Sequence, residues 1–201
     1  MASNFFAFKY MKFFSFFFVF IILLLFFISF SIIQINEIYE DSSFIFSGFS
    51  DYCWPLPDYT YISSPFGYRN SPTSGASSYH SGIDIPAPEG TKIYSVCDGI
   101  VSFASWGAGG GYTIVVENND LKISYCHVSP NFIVFRNQEV KKGEFISNVG
   151  PKNVYGISNN PYKDSYGNPT NGATTGCHLH LSIKVNGKPA NPLSFFDNTK
   201  E

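Results

Sequence analysis

The alternation of side chains in residues 177–183, Cys-His-Leu-His-Leu-Ser-Ile, restricts the possible folds of this chain more than any other feature. In an extended strand successive side chains point to opposite faces, so His178 and His180 share one face and the aliphatic residues share the other. The aliphatic face needs a core to cover it. The segment therefore predicts a sheet strand with one buried face and one exposed face that carries two imidazoles.

Short β-branched or aromatic runs recur between Gly, Pro, Asn and Ser clusters from residue 62 onward. Many short strands separated by turn residues predict a mainly β domain with an antiparallel sheet. No stretch shows a convincing amphipathic helical period. The predicted strands are residues 92–96, 99–103, 112–116, 121–125 and 178–185.

Residues 107–111 form a glycine-rich segment, Gly-Ala-Gly-Gly-Gly. The segment lacks the Lys and Ser or Thr of a phosphate-binding loop, and a predicted strand follows it instead of a helix. It therefore indicates a mobile hairpin connection, and we expect no nucleotide as a partner.

The first 33 residues differ in composition from the rest of the chain. They contain twelve of the twenty-two Phe, whereas every Gly lies at Gly48 or later. Residues 13–33 are apolar apart from three Ser, and as a helix they would extend ~30 Å, about the thickness of the bilayer hydrocarbon. Lys9 and Lys12 precede this segment, and no Lys or Arg follows it before Arg69. The positive-inside rule then places the N-terminus in the cytoplasm.

These features predict a single-pass protein of the cell membrane with its main domain outside the cell. The predicted order is a cytoplasmic N-terminus at residues 1–12, a transmembrane anchor at 13–33, a spacer at 34–54 and one domain at 55–197. The alternative is a signal peptide that is cleaved near residue 31 and releases a secreted protein. The long apolar run and the absence of an Ala-x-Ala site favour the anchor.

Charge and cysteine usage exclude several classes of protein. The formal net charge of -2 shows no basic footprint, so we expect no nucleic acid as a partner. The absence of a Cys-x-x-Cys pair gives no support to a zinc ribbon or a thioredoxin. Cys126 and Cys177 could be bridged if their strands were neighbours, but buried free thiols are an equal alternative. No pairing is predicted among Cys53, Cys97, Cys126 and Cys177.

All four histidines of the chain lie in settings that suit a metal site. One strand carries a His-x-His motif, a second segment carries His-x-x-x-Asp, and the remaining histidine ends a predicted strand. The His-x-x-x-Asp pair is held by a bend, because Gly82 and Pro86 disfavour a helix there. Catalytic zinc takes three protein ligands of these types and leaves a fourth position for water. Each motif alone is weak, but together they suggest one zinc site built from His80, Asp84, His127, His178 and His180.

Three of these motifs, in this order, resemble the signatures of the lysostaphin-type (LytM-like) zinc metalloendopeptidases, which are peptidoglycan hydrolases with a duplicated hybrid motif fold. The three motifs are residues 80–84 (His-Ser-Gly-Ile-Asp), 125–127 (Tyr-Cys-His) and 175–180 (Thr-Gly-Cys-His-Leu-His). Residues 64–69, 90–101, 140–146 and 186–193 also resemble segments of that family. The resemblance covers roughly residues 55–196.

The resemblance implies an antiparallel β domain with a substrate groove and one Zn²⁺ per chain. It implies that His80, Asp84 and His180 bind the zinc, and that His127 and His178 are catalytic. The expected function is hydrolysis of peptide bonds in the stem or cross-bridge peptides of bacterial peptidoglycan, outside the membrane. The expected partners are peptidoglycan and, through the N-terminal helix, the membrane.

The segment at residues 150–174 is longer than the short turn that this family usually has there. It is rich in Asn, Pro, Tyr and Gly, and we hypothesise that it forms a wall of the groove and narrows the range of substrates. Its candidate substrate-binding residues are Tyr155, Tyr162 and Tyr166. A tolerated surface insertion is the alternative, because loops accept extra length at little cost.

Two other functions are compatible with parts of this pattern. One is a non-enzymatic LytM-like regulator that activates another cell-wall hydrolase, but such relatives lose zinc ligands and this chain retains the full set. The other is a zinc carboxypeptidase acting on a D-Ala terminus. Proteins of that type have a Glu close before a histidine as the base. This sequence contains no Glu-x-x-His or Glu-x-His.

Overall fold

β-Strands make up nearly all the regular structure in residues 51–73 and 76–196, which are the residues that the computed structural model describes. Only two short 3-10 turns, Ala108–Gly110 and Pro192–Phe195, accompany them in this part of the chain. The strands are β1 Gly67–Tyr68, β2 Tyr79–His80, β3 Ile83–Pro86, β4 Lys92–Tyr94, β5 Gly99–Trp106, β6 Tyr112–Asn118, β7 Leu121–Cys126, β8 Glu139–Val140, β9 Phe145–Asn148, β10 His178–Val185 and β11 Lys188–Ala190.

The main sheet is antiparallel and has the strand order β11-β10-β7-β6-β5-β8. On one edge β10 pairs with β7, and on its other edge it pairs with β3 in its first half and with β11 in its second half. Strands β1 with β2 and β4 with β9 form two small separate sheets. The expectation of a mainly β, antiparallel domain is confirmed, and β10 is the strand that holds the most partners together.

The predicted transmembrane anchor at residues 13–33 lies outside the described residues, as do the predicted cytoplasmic segment at 1–12 and most of the spacer at 34–54. Within the described residues, no helix has the length and apolar character needed to cross a membrane. The end of the predicted spacer packs on the domain: the rings of Tyr52 and Phe195 are 5.1 Å apart, and those of Trp54 and Phe196 are 4.9 Å apart.

The core lies against the aliphatic face of β10. Leu179, Leu181 and Ile183 are fully buried, as the alternation predicted, and they pack with the other apolar strand residues in one cluster. The buried Tyr125 of β7 accepts a hydrogen bond on its hydroxyl from the backbone N–H of Val96, at 2.7 Å. Burying these side chains supplies the main driving force for the fold, roughly 1.5–3 kcal/mol for each large apolar residue.

The turn between β10 and β11 explains how such a short last strand is held in register. Asn186 and Gly187 both have positive φ, 49° and 76°, which is the backbone that a two-residue Asn-Gly hairpin requires. The hairpin pairs Val185 with Lys188 and Ile183 with Ala190. The exposed face of β10 is therefore bordered by regular strands on both edges.

Candidate metal centre

The candidate site lies on the exposed face of β10, where His178 and His180 emerge beside β3. The strand register pairs His180 with Asp84 of β3 on one side and with Cys126 of β7 on the other. His80 ends β2, and residues 81–82 form the bend that leads into β3. Regular strand pairing thus brings together side chains that are a hundred positions apart in sequence.

Three ligand atoms form a close triangle in this site. His80 Nε2 lies 3.1 Å from Asp84 Oδ1 and 2.9 Å from His180 Nδ1, and His180 Nδ1 lies 2.8 Å from the same carboxylate oxygen. Ligands at zinc–ligand distances of 2.0–2.2 Å in a tetrahedral site are about 3.3–3.5 Å apart. The triangle therefore fits a single small cation after a movement of a few tenths of an ångström, and His80, Asp84 and His180 could hold a metal ion.

The imidazole of His80 is oriented for metal binding by its other nitrogen. His80 Nδ1 donates a hydrogen bond to the carbonyl oxygen of Pro65 at 2.8 Å. A carbonyl can only accept, so the proton of the neutral ring is on Nδ1 and the lone pair of Nε2 points towards Asp84 and His180. Metal-binding histidines are commonly fixed in this way.

Gly82 is required by the close approach of β10 to the bend. A Cβ at this position would lie 2.3 Å from the carbonyl oxygen of Leu181 and 2.8 Å from Nε2 of His180. Any side chain would push β10 away from the bend and open the triangle. The close packing of β10 on the bend therefore explains the glycine in the motif His-Ser-Gly-Ile-Asp.

Arg69 holds the second carboxylate oxygen of Asp84. Its Nη1 donates to Asp84 Oδ2 at 3.0 Å and also to the hydroxyl of Ser64, which leaves Asp84 Oδ1 to face the histidines. Burial alone would raise the pKa of Asp84, but the three surrounding imidazoles hold that pKa well below its usual range. The carboxylate is therefore ionised, as a metal ligand has to be.

His127 follows β7 with a left-handed backbone, φ 59°, a conformation that costs about 1–3 kcal/mol in a non-glycine residue. Its backbone N–H donates to Gly110 at 2.8 Å, its carbonyl accepts from Gly150 at 2.9 Å, and its Nδ1 donates to the carbonyl of Asn171 at 2.6 Å. These three bonds maintain the strained conformation. They leave Nε2 as the nitrogen available to the groove.

His178 is fixed in a similar way. Its Nδ1 donates to the carbonyl of Gly176 at 2.9 Å, with the hydroxyl of Thr174 at 3.3 Å, and its Nε2 lies 3.5 Å from Asp84 Oδ1. The rings of His127 and His178 are 4.6 Å apart between centroids. The two histidines thus stand side by side next to the triangle of ligand atoms.

The electrostatics of the two neighbouring imidazoles favour a neutral His127. Burial lowers the pKa of His127, and the nearby His178 and His180 lower it further, to about 3. Burial also lowers the pKa of His180. At neutral pH the Nε2 of His127 therefore carries a lone pair.

The site opens into a groove of about 1010 Å³. Its walls include residues 107, 109 and 110 of the glycine-rich connection and residues 173–177 that precede β10. The connection is where the sequence predicted it, and it is held by a hydrogen bond from the N–H of Ala173 to the carbonyl of Gly109 at 2.8 Å. The long segment at 150–174 thus contributes its last residues to the groove.

The structure does not place Tyr155, Tyr162 or Tyr166 among the groove-lining residues that it describes. Tyr155 and Tyr166 are 71% and 87% exposed and point to solvent. Tyr162 packs near Gly109, since a Cβ on that glycine would lie 3.4 Å from the Tyr162 hydroxyl. A direct substrate contact by these tyrosines stays a prediction.

Asn171 is the main residue of the site that sequence reasoning missed. It is fully buried, and its side chain accepts from the N–H of Tyr112 at 2.8 Å and donates to the carbonyl of Val128 at 3.0 Å. Its own carbonyl holds His127. A polar residue within an Asn-rich loop carries no signal of this kind, because the signal comes only from its distant partners. Arg69 lies in residues 64–69, which resemble a segment of the family, but no role was predicted for it.

The cysteines form no disulfide in the described residues. Cys126 lies across from Thr113 and His180 in the sheet and is buried, and both Cys126 and Cys177 are free thiols. Burial raises the pKa of Cys126 to about 11, and the thiol stays protonated. The alternative of free thiols therefore applies to Cys53, Cys97, Cys126 and Cys177.

Residues 78–192, which contain all five site residues, match the sequence profile of Peptidase family M23. The chain belongs to Peptidase family M23. Its similarity to the DD-carboxypeptidase/endopeptidase Mpg of Neisseria meningitidis serogroup B is 34% identity over 139 residues, which covers 68% of this chain and 27% of that protein. The chain therefore matches about a quarter of the length of this curated relative.

Two solved structures share the fold of this M23 chain. A zinc containing peptidase from Vibrio cholerae has a TM-score of 0.53 at 29% identity, with 69% of this chain and 37% of that chain covered. The catalytic domain of the antimicrobial peptidase lysostaphin from Staphylococcus simulans has a TM-score of 0.54 at 25% identity, with 70% and 93% covered. These similarities agree with the family resemblance of the three sequence motifs.

Proposed function

We propose that this chain is a zinc-dependent endopeptidase that hydrolyses peptide bonds in the stem or cross-bridge peptides of bacterial peptidoglycan. The observation that carries the proposal is the triangle of His80, Asp84 and His180 ligand atoms beside two imidazoles in an open groove. The relatives support it, because one is named a DD-carboxypeptidase/endopeptidase and another, from Vibrio cholerae, a peptidoglycan DD-endopeptidase.

The proposed ligands of one Zn²⁺ are Nε2 of His80, Oδ1 of Asp84 and Nδ1 of His180. When bound there, zinc lowers the pKa of a coordinated water and polarises the scissile carbonyl. Two nitrogens and one carboxylate oxygen suit zinc better than calcium or magnesium, which prefer oxygen ligands. Arg69 keeps the second oxygen of Asp84 away from the ligand triangle.

His127 and His178 are the proposed catalytic residues. The neutral Nε2 of His127 accepts a proton from the attacking water, since its Nδ1 is already used as a donor to Asn171. Nε2 of His178, 3.5 Å from Asp84 Oδ1, donates a hydrogen bond to the developing oxyanion or a proton to the leaving amine when the ring carries a proton on both nitrogens, because its Nδ1 proton is already donated to Gly176. Both side chains are oriented before substrate arrives, which is the main requirement of such catalysis.

The proposed location of the active domain, residues 55–197, is outside the cell membrane, with residues 13–33 as its anchor and 34–54 as its spacer. Release by cleavage of the same segment is the alternative.

We also propose that residues 150–174 narrow the substrate range, through the groove-lining end of the segment and through Tyr162. Shortening this segment should broaden the peptide selectivity, whereas unchanged selectivity would rule the role out.

The test uses the full chain with purified peptidoglycan, and mass spectrometry of the released fragments. New amino termini within the stem or cross-bridge peptides are expected, together with one zinc per chain by elemental analysis. Release of a single terminal D-Ala would instead indicate carboxypeptidase activity, which the relative's name also includes. His127→Ala and His178→Ala should each keep the zinc and lose roughly 10²–10⁴-fold in rate.

Two results would contradict the proposal. Full hydrolysis by both variants would remove the catalytic role of the histidines. A protein without stoichiometric zinc and without any released fragment would favour the non-enzymatic regulator, and stimulation of a second cell-wall hydrolase by the purified chain would then identify it.

A further inference from the structure

The exposed face of β10 continues beyond the metal centre with two further polar residues, Ser182 and Lys184. Both line the same groove as His178 and His180. The cross-strand partner of Ser182 is Ser124 of β7, which also lines the groove. The floor of the groove therefore changes from imidazoles to two hydroxyls and an ammonium group, with Lys184 about 13 Å along the strand from His180.

These three side chains have no partners within the described part of the chain. The hydroxyls of Ser124 and Ser182 make no hydrogen bond there, and the ammonium of Lys184 makes no ion pair, although Ser182 is only 7% exposed. By contrast, the neighbouring Lys122 is paired with Glu117 at 2.9 Å. Two hydroxyls and an ammonium group that line one groove without partners form a set of donors suited to an anion.

The charges around the groove also favour the binding of an anion. Among its described lining residues the sole carboxylate is Asp84, which Arg69 and the histidines already surround. Lys184 also stands directly opposite Lys122 in the sheet, and Lys122 is already paired with Glu117. A bound anion would give Lys184 a counter-charge of its own, although the chain as a whole has a net charge of -2.

We propose that Ser124, Ser182 and Lys184 form a subsite for a carboxylate of the peptide substrate. The inference rests on the proposed endopeptidase function. An extended peptide rises about 3.3 Å per residue, so the recognised carboxylate lies within roughly four residues of the scissile bond. The substrate class is thus an acidic peptide, whose carboxylate belongs either to a side chain or to a chain terminus.

The experiment compares peptides that share one scissile bond and differ in a single group. One pair has a C-terminal carboxylate or carboxamide, and the other has a side-chain carboxylate or carboxamide within four residues of the bond. The full chain should cleave the acidic member of one pair with about 10-fold higher kcat/KM, mainly through KM. The pair that shows the difference identifies the source of the carboxylate.

Lys184→Met should reduce that ratio to about 1 by losing activity on the acidic peptide alone, and Lys184→Arg should retain most of it. Lys188→Met is the matched control, because Lys188 lies on β11, is exposed and does not line the groove; it should keep the full ratio. A ratio of 1 in the unaltered chain, or an unchanged ratio in Lys184→Met, would overturn the subsite.

Binding measured on the metal-free chain separates this inference from the proposed function. Fluorescence anisotropy of the same labelled peptides should show about 10-fold tighter binding of the acidic member, lost in Lys184→Met, even if no peptide is cleaved. Acid-selective binding without cleavage would refute the endopeptidase and keep the subsite. Cleavage without any acid-selective binding would do the reverse.

Discussion

The proposed zinc ligands and the two neighbouring histidines share one site but are held in different ways. Asp84 and His180 lie on paired strands, and His80 ends a strand, so the ladder of backbone hydrogen bonds sets their spacing. His127 and His178 have their Nδ1 atoms held by carbonyls of the irregular segment before β10, whereas the carbonyl that holds Nδ1 of His80 belongs to Pro65, just before β1. Strand pairing thus sets the positions of the proposed ligands, and the loop sets the ring orientations of His127 and His178.

Substitutions in these two groups of residues should therefore have different effects. Changes in the strand-held group should remove the metal, whereas changes in the loop-held group should leave the metal bound and slow turnover. Four variants distinguish loss of the metal from loss of turnover, and their expected effects decrease from Asp84→Ala to Asp164→Asn.

Asp84→Ala should have the largest effect, because it removes a proposed ligand and leaves Arg69 without its carboxylate. Zinc affinity should fall at least ~100-fold, given that structural zinc sites gain about 10–16 kcal/mol from all their ligands together, and hydrolysis should be lost with it. Elemental analysis after dialysis measures the zinc. Stoichiometric zinc in this variant would remove Asp84 from the ligand set.

Asn171→Ala should lower kcat about 100-fold with little change in KM or zinc content, because the carbonyl that holds His127 would lose its anchoring bonds. Nitrogen NMR of the four histidines gives a direct readout, since the protonated Nδ1 of His127 should no longer dominate. Asn168→Ala, in the same segment but bonded only to Asp164, is the control. Normal kcat in Asn171→Ala would mean that the loop does not orient His127.

Arg69→Met should weaken zinc binding by about 10–100-fold, which is the usual cost of losing a group that orients a ligand. The hydrogen bond from Arg69 to Asp84 Oδ2 would be gone, and the carboxylate could rotate. Competition with a chelator measures the affinity. An unaltered affinity would show that the strands alone are sufficient to orient Asp84.

Loss of the Asp164 carboxylate should have the smallest effect, because Asp164 stabilises the segment at residues 150–174 without lining the groove. It accepts hydrogen bonds from the N–H groups of Tyr166 and Asn168 and contacts Lys152. Burial would raise the pKa of Asp164, but these hydrogen bonds lower it to about 2. Its stabilising effect should therefore be complete above about pH 4 and decline as the pH falls towards 2.

Limited proteolysis across that pH range should show faster cleavage within residues 150–174 at the acid end. Asp164→Asn should show the same rapid cleavage at neutral pH, with only a few-fold loss of turnover. A cleavage rate that is independent of pH in the unaltered chain would contradict the role of Asp164.

Much of the fold could be predicted from local sequence, and the limits have a physical cause. The five strands predicted from β-branched and aromatic runs all form. The other six strands, β1, β2, β3, β8, β9 and β11, were not predicted, because each has only two to four residues and forms by pairing with a partner strand that no local propensity marks. A loop sequence does not reveal which residues face a groove, so substrate binding by Tyr155, Tyr162 and Tyr166 stays a prediction.

The sequence by itself determined the alternating strand and the three ordered motifs, and it predicted the five site residues, because period and residue type are local properties. Only the tertiary structure decided that Arg69 holds one oxygen of Asp84, that the carbonyls of Asn171 and Gly176 fix two imidazoles, and that Lys184 stands without a partner in the groove. Those facts depend on contacts between residues distant in sequence, and such contacts exist only once the chain has folded around β10.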